Sequence, residues 1–328
     1  MNMSDAADWE YGNSRVFTEE LTEMTFAQQN IIKIEETAKI VEKIKTIEHY
    51  ANRRNEIYSQ LQTHEQRIID LASEKGASSW LTSLPLAECG FVLNKQEFHD
   101  AILLRYNFKI KGVSSVCACG EPNNVNHALI CKLGGYIHLR HNNLRDTTAE
   151  LLRSNGICKD VETEPALIPL SGEVLPPGTT RKEDAKLDVC ARNLWAPLAK
   201  AFVDIRVLHP QAPSNGNKSI PAMYRAHELE KKRKYNARVI NIERATFTPL
   251  VFSTSGGMGP EASVFYKRVA EKIANKSSQR YSDIISFIRR RLRFDLLKTC
   301  LISLRGFRGI KSNVVASPVD DIDLNLIN

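Results

Sequence analysis

The chain has 328 residues, 42% hydrophobic and 25% charged, a globular balance with room for about two ordinary domains. Lys plus Arg exceed Asp plus Glu by 45 to 38, so the net charge of +7 is modest and its distribution carries more information than its size. No apolar run reaches the ~18 residues of a membrane span, and the polar, acidic start resembles neither a signal nor a transit peptide. Seven cysteines, an odd number, argue against a secreted disulfide scaffold and for a reducing setting, nuclear or cytoplasmic.

In chain order, residues 1 to about 16 read as a frayed tail. From Phe17 to about Lys75 there is no Pro or Gly, and Ile31, Ile34, Ala38, Val41, Ile44 and Ile47 recur near helical spacing. Two or three helices are expected there, paired antiparallel if they pack together, and no long coiled coil because the heptad is not sustained. Gly76-Ala-Ser-Ser breaks the region. A helix follows over Lys95 to Arg105, then a cysteine cluster, then a helix from about Gly135 to Leu152. Beyond it, Pro165, Pro169, Pro176, Pro177 and Gly178 punctuate short β-rich stretches. Leu187-Asp-Val-Cys-Ala-Arg, Ala201-Phe-Val-Asp-Ile-Arg-Val and Thr246-Phe-Thr-Pro-Leu-Val-Phe-Ser read as strands, with a helix from Tyr224 to about Arg238 and an exposed loop at Gln211 to Pro221. Two or three basic helices close residues 260–306. The expected fold is α+β: a helical region (1–84), a metal knuckle with flanking helices (85–146), a core of a small mixed sheet flanked by helices (147–260) and a basic helical end (261–328).

Cys117-x-Cys119, His127 and Cys131 supply three thiolates and one imidazole within 15 residues. That is a complete tetrahedral set for Zn²⁺ with no position left for substrate, so the site is structural. Cys89, Cys158, Cys190 and Cys300 are scattered and read as buried thiols.

Asp188 and Asp204 each lie in an apolar strand, where an ionised carboxylate is costly unless paired or metal-bound. On neighbouring strands they could share one hard cation such as Mg²⁺, which would activate a water and polarise a phosphodiester. Downstream, Lys231 and Lys234 share one helix face and could neutralise charge developing on phosphate. Glu164 is a further acidic candidate. Arg280 to Lys311 hold nine basic residues against two acidic, and Pro221 to Ile240 six against two, an excess suited to a polyanion or to a solvated helix face.

The order of these features resembles the restriction-like endonuclease region of R2-type non-LTR retrotransposon proteins. That family has a Cys-Cys-His-Cys knuckle, an Arg-His-Asn or Arg-His-Asp tripeptide, two strand carboxylates and a Lys-x-x-Lys-Tyr helix. This chain has Cys117, Cys119, His127 and Cys131, then Arg140-His141-Asn142, Asp188, Asp204 and Lys231-Lys232-Arg233-Lys234-Tyr235. The resemblance covers about residues 85–260. It implies a PD-(D/E)xK nuclease fold, catalytic Mg²⁺ or Mn²⁺ on Asp188 and Asp204, lysine supplied by the 231–234 helix, a DNA substrate and element RNA as a further partner. On this resemblance Arg140, His141, Asn142, Arg206, Lys232 and Tyr235 are candidates for nucleic-acid contact; His141 could equally touch the knuckle. The chain departs from the pattern in three places. Leu187 stands before Asp188 where proline is usual, Arg206 stands where the simplest motif has lysine, and no Tyr-x-Asp-Asp polymerase motif occurs. Three readings stay open: a metal-dependent DNA endonuclease, an inactive zinc-dependent nucleic-acid-binding protein, and a helical scaffold that binds another protein. The Ser255-Gly-Gly-Met-Gly loop could cradle a phosphate, but it lacks the Lys-Ser/Thr of a P-loop.

Overall fold

The computed structural model describes residues 26–170, 172, 175, 177–180, 185–306 and 308. The expected tail at 1–16, Pro176 and the last residues of the basic run therefore lie outside the described residues. The fold is mixed α and β: nine α-helices among the described residues and one four-stranded sheet. No helix among them is long and apolar enough to cross a membrane.

Helix α1 (Phe26–Ser59) runs 34 residues as a single rod, and α2 (Thr63–Ala72) follows after a short turn. The absence of Pro and Gly lets α1 continue unbroken, while Ile34, Ile40, Val41, Ile44 and Ile47 stay exposed. Arg54 and Tyr58 both reach Asp70, at 3.0 and 2.8 Å, and tie the end of α1 to α2. Arg67 then anchors α2 to the core by donating to the carbonyls of Pro210, Asn215 and Lys218. The 211–221 segment is thus better organised than its Ser, Asn and Gly content suggests. Asn215 is buried there, its amide donating to the His209 carbonyl.

Short α3 (Ser79–Thr82) and α4 (Lys95–Arg105) come next. Asn94 caps α4 by accepting from the Glu97 amide, and the Glu97 carboxylate accepts from the Asn94 amide in return. The knuckle helix α5 (Val125–Ile130) and the longer α6 (Tyr136–Arg153) lead into the sheet.

The sheet order is β1-β2-β3-β4, with β1 (Lys159–Thr163), β2 (Val189–Arg192), β3 (Lys200–Leu208) and β4 (Thr246–Ser253). The first three strands are antiparallel, whereas β3 and β4 are parallel and joined through α7 (Ile220–Asn241). A parallel pair needs such a crossover, because a hairpin cannot return the chain in the same direction. Side chains alternate across the sheet. Val189, Ala191, Val203, Ile205, Leu250 and Phe252 enter a large core with α6, α8 (Pro260–Ser277) and α9 (Tyr281–Arg305). On the opposite face, Cys190, Phe202 and Phe247 pack with Tyr235 and Val239 of α7. Trp80, Phe91, Ala101, Val125 and Leu129 belong to the large core as well, so one apolar cluster joins the knuckle segment, the sheet and the last two helices.

Candidate metal centre and carboxylate site

The knuckle is built by a tight turn and a capped helix. The Gly120 amide donates to the Cys117 carbonyl, and the Cys117 amide donates to the Glu121 carbonyl, folding Cys117 and Cys119 toward one point. Gly120 has φ +91°, a conformation that a side chain would strain. Asn124 caps α5 by accepting from the His127 amide at 2.9 Å, which turns His127 to face the thiols. Cys131 sits one residue past the helix end, its amide donating to the His127 carbonyl. The four ligand atoms lie within 4.8 Å of one another, and the cluster can hold a metal ion such as zinc. A tetrahedron with metal–sulfur bonds of about 2.3 Å has S···S edges of about 3.8 Å. The observed edges are 3.8 Å for Cys117–Cys131 and 3.9 Å for Cys119–Cys131, and His127 Nε2 lies 3.3 Å from Cys119 Sγ. Burial resists ionisation of Cys117, but the Cys119 amide and the surrounding His127, Cys119 and Cys131 groups overcome it, and the thiol lies below its ordinary range. A thiolate is the form that binds metal.

Three side chains fix the knuckle to the rest of the molecule. A six-residue helix leaves its last carbonyls without helical partners. Arg140 Nη2 donates to the Leu129 carbonyl at 2.7 Å and Arg308 Nη2 to the Ala128 carbonyl at 3.0 Å. Asn126 Oδ1 accepts from His209 Nε2 at 3.1 Å, and His209 Nδ1 faces Thr254 Oγ1 at 2.8 Å. Burial and the Arg140 charge hold His209 down at about 3, so the ring is neutral and can accept from the threonine while donating to the asparagine.

The carboxylate site lies where β2 begins beside β3. Val189 pairs with Val203, and the same register carried one residue further sets Asp188 opposite Asp204. Asp204 is 5% exposed, and Lys231 Nζ from α7 lies 2.5 Å from its Oδ2. Lys231 arrives there because Tyr235 and Val239, one and two turns on, bury the same face of α7 against the sheet. Asp204 Oδ2 has no well-aligned hydrogen-bond donor despite that contact. Burial raises the Asp204 carboxyl, Lys231 opposes the rise, and the Asp188 charge adds to it. Asp188 is held at both oxygens: Oδ1 lies 2.9 Å from His141 Nε2, and Oδ2 accepts from the Ile205 amide. His141 is pushed upward, first by its bond to Asp188, against burial, and further by the charges of Asp188 and Asp204.

The structure therefore brings Asp188, Asp204, Lys231 and His141 together. Glu164 stands beside them with its amide donating to the Asp188 carbonyl at 2.8 Å, while its carboxylate pairs with Arg145. Arg145 has no place among the sequence candidates. Its guanidinium also holds Asp146 at 2.8 Å, and the charges of Asp146, Glu164 and Asp188 all bear on it. It lies four residues after His141, so helical spacing alone sets both on one face of α6.

Two of the candidates lie in the interior. Arg140 is 2% exposed and bonded to the Leu129 carbonyl, so it braces the knuckle. Tyr235 is buried against Phe247, ring centroids 5.8 Å apart, and is a core residue. The remaining candidates are accessible to differing degrees. Asn142 is exposed on α6, and Arg206 is half-buried and pairs with Glu230 at 2.7 Å. Lys232 pairs with Glu261 at the start of α8. Lys234 is exposed and lies over the Tyr235 ring at 4.9 Å, the ring that Lys231 also approaches at 5.8 Å. Among the three lysines, only Lys231 has an ion pair with Asp204 among the described residues.

No protein-family model matches the chain, and no curated protein is significantly similar to it in sequence.

Proposed function

We propose that this protein is a metal-dependent DNA endonuclease of the PD-(D/E)xK type, derived from a retroelement, with a structural zinc knuckle that braces the nucleic-acid-binding half of the molecule. The observation that carries the reading is Asp188 set opposite Asp204 across an antiparallel strand pair, with Lys231 on Asp204. A buried carboxylate that titrates upward even with a lysine 2.5 Å away is poorly suited to a stabilising role, and such groups concentrate at functional sites.

Asp188 and Asp204, set opposite one another on β2 and β3, would hold Mg²⁺ or Mn²⁺, hard cations that take oxygen ligands. When bound, such an ion lowers the pKa of a coordinated water and draws charge from the phosphate. Lys231 holds a positive charge where negative charge develops on the phosphodiester, and in the free protein that charge rests on Asp204. His141 orients Asp188 through its 2.9 Å bond, with the Ile205 amide fixing the other oxygen. Arg145 and the exposed Asn142 border the same site on α6 and suit a backbone phosphate. Cys117, Cys119, His127 and Cys131 would hold zinc, which would keep α5 folded and so help to set the position of α6.

The test is nicking of supercoiled plasmid DNA in Mg²⁺ by the full chain. Cleavage that disappears in Asp188→Ala and Asp204→Ala supports the reading. Salt-sensitive DNA binding with no cleavage in Mg²⁺ or Mn²⁺ would replace it with that of an inactive zinc-dependent nucleic-acid-binding protein.

A further inference from the structure

At the far end of β3 from the carboxylates, where α2, the knuckle helix and α9 meet, lies a narrow cleft of about 30 Å³ that opens to solvent. Leu71 and Leu129 wall it. His209, Thr254 and Ser255 line it beyond the strand ends, and Arg105 of α4 and Arg293 of α9 supply its charge. Asp204 and His209 are five residues apart on one strand path, so the cleft is roughly 16 Å from the carboxylate site.

Arg293 is 5% exposed, yet its Nε and Nη1 have no hydrogen-bond partner, and it takes part in no ion pair among the described residues. Arg105 is close enough for its charge to bear on Arg293, and its own Nε is buried without a partner. A second, smaller cleft that Arg293 also lines has Lys75 and Arg289 in its wall. Neither cleft has an aspartate or glutamate in its lining. His209 is neutral and compensates nothing. Packing alone confines the guanidinium. Gly256, at φ +97°, brings the 255–259 loop so close that an added Cβ would lie 2.6 Å from the Arg293 Cζ, Nε and Nη1. A side chain in place of Gly256 would fill the contact, so the glycine keeps the buried charge in position.

The Glu74 carboxylate lies against the neighbouring Gly257 but makes no ion pair with Arg293. A buried guanidinium without a paired carboxylate is unfavourable, and the group that would relieve it is an anion with several acceptor oxygens. We infer that this cleft binds a tetrahedral oxyanion of the phosphate class, held by Arg293 and Arg105 with the Ser255 hydroxyl as an additional donor. The Ser255-Gly-Gly-Met-Gly loop contributes by shaping the cleft. Its glycine amides are already engaged, that of Gly256 donating to the Ser253 carbonyl, Gly257 to the Ser253 hydroxyl and Gly259 to the Val251 carbonyl. The side chains therefore carry the recognition. The phosphate can be a free ion or the terminal phosphate of a nucleic-acid strand. The inference does not rest on the nuclease reading.

Thermal unfolding of the full chain in sodium phosphate, against sodium chloride at matched ionic strength, tests it. The wild type should show a saturable rise in Tm, roughly 5–10 °C at a hundredfold excess over Kd. R293M should melt at or above the wild type in chloride, because it removes an uncompensated buried charge, and should lose the phosphate response. No response in the wild type, or an equal response in R293M, overturns the inference. If R293M does not fold, R105Q decides: a tenfold or larger increase in the half-saturating phosphate concentration supports the site, and an unchanged value overturns it. Oligonucleotides with and without a 5′-phosphate separate the sources. Tighter wild-type binding of the phosphorylated strand, lost in R293M or R105Q, identifies a strand end. Equal binding of the two, with the inorganic phosphate response intact, identifies the free ion.

Discussion

Replacing the Asp204–Lys231 pair by the neutral pair D204N/K231M separates a functional site from a structural tie. Asp204 is 5% exposed and its carboxyl is raised, chiefly by burial, with the Lys231 attraction only partly offsetting it. An acid whose folded pKa lies above its unfolded value destabilises the fold once ionised. Its contribution falls as pH rises from about 3.8 through the folded value, at about 1.4 kcal/mol per unit of displacement. Exchanging both partners for neutral groups of similar volume removes the desolvation cost together with the attraction. For buried pairs that exchange is neutral or stabilising by about 1–4 kcal/mol. At about 2–4 °C per kcal/mol, D204N/K231M should melt no lower than the wild type at pH 7, and up to several degrees higher. D204N alone should melt below the double variant, because it leaves Lys231 without its counter-charge. Scanning calorimetry from pH 4 to 8 provides the readout, and the advantage of the double variant should grow with pH. A double variant that melts several degrees below the wild type would refute the reasoning, since the pair would then be a net stabilising contact.

Four further outcomes follow from named contacts. Metal analysis should find one zinc per chain, and Cys131→Ser should lose it together with the fold of α5, seen as increased amide exchange at 117–131. His141 has a raised pKa, so its bond to Asp188 stabilises the fold fully below about pH 6.5 and the benefit fades as pH rises through the folded value; the Tm difference between wild type and H141Q should shrink from pH 6 to 9. Arg140→Met should lower stability by about 1–3 kcal/mol by leaving the Leu129 carbonyl without its donor, while the salt slope of DNA binding stays unchanged. Lys231→Ala should reduce cleavage by about 10²-fold or more, whereas Lys234→Ala, whose amine lies over Tyr235, should change it less than threefold.

Local chemistry made much of this legible in the sequence. The knuckle follows from ligand types within 15 residues, and two of its S···S edges have the length a tetrahedral ion requires. The carboxylates stood out because aspartate is rare in an apolar strand, and strands β2, β3 and β4 have the expected apolar character. Strand β1, Lys-Asp-Val-Glu-Thr, gave no such sign. It is an exposed edge paired only with β2, so no buried face imposes alternation on it. Arg140 misled because a basic residue reads as a surface group until the unsatisfied carbonyls of a short neighbouring helix are known. Arg145 was missed, although its four-residue spacing from His141 was a signal, because its partner Glu164 lies 19 residues on. Arg293 was not legible. Nothing in Arg-Arg-Arg-Leu-Arg distinguishes the one guanidinium that the fold encloses.

The most direct measurement compares plasmid nicking by wild type and D204N/K231M in Mg²⁺, after calorimetry has established that both are folded. The wild type should nick in Mg²⁺ and not when Mg²⁺ and Mn²⁺ are omitted from the zinc-loaded protein, and the folded double variant should lose at least about 10³-fold. Nicking of equal rate in the double variant, or none in the wild type, would contradict the assignment of Asp204 and Lys231 to the reaction.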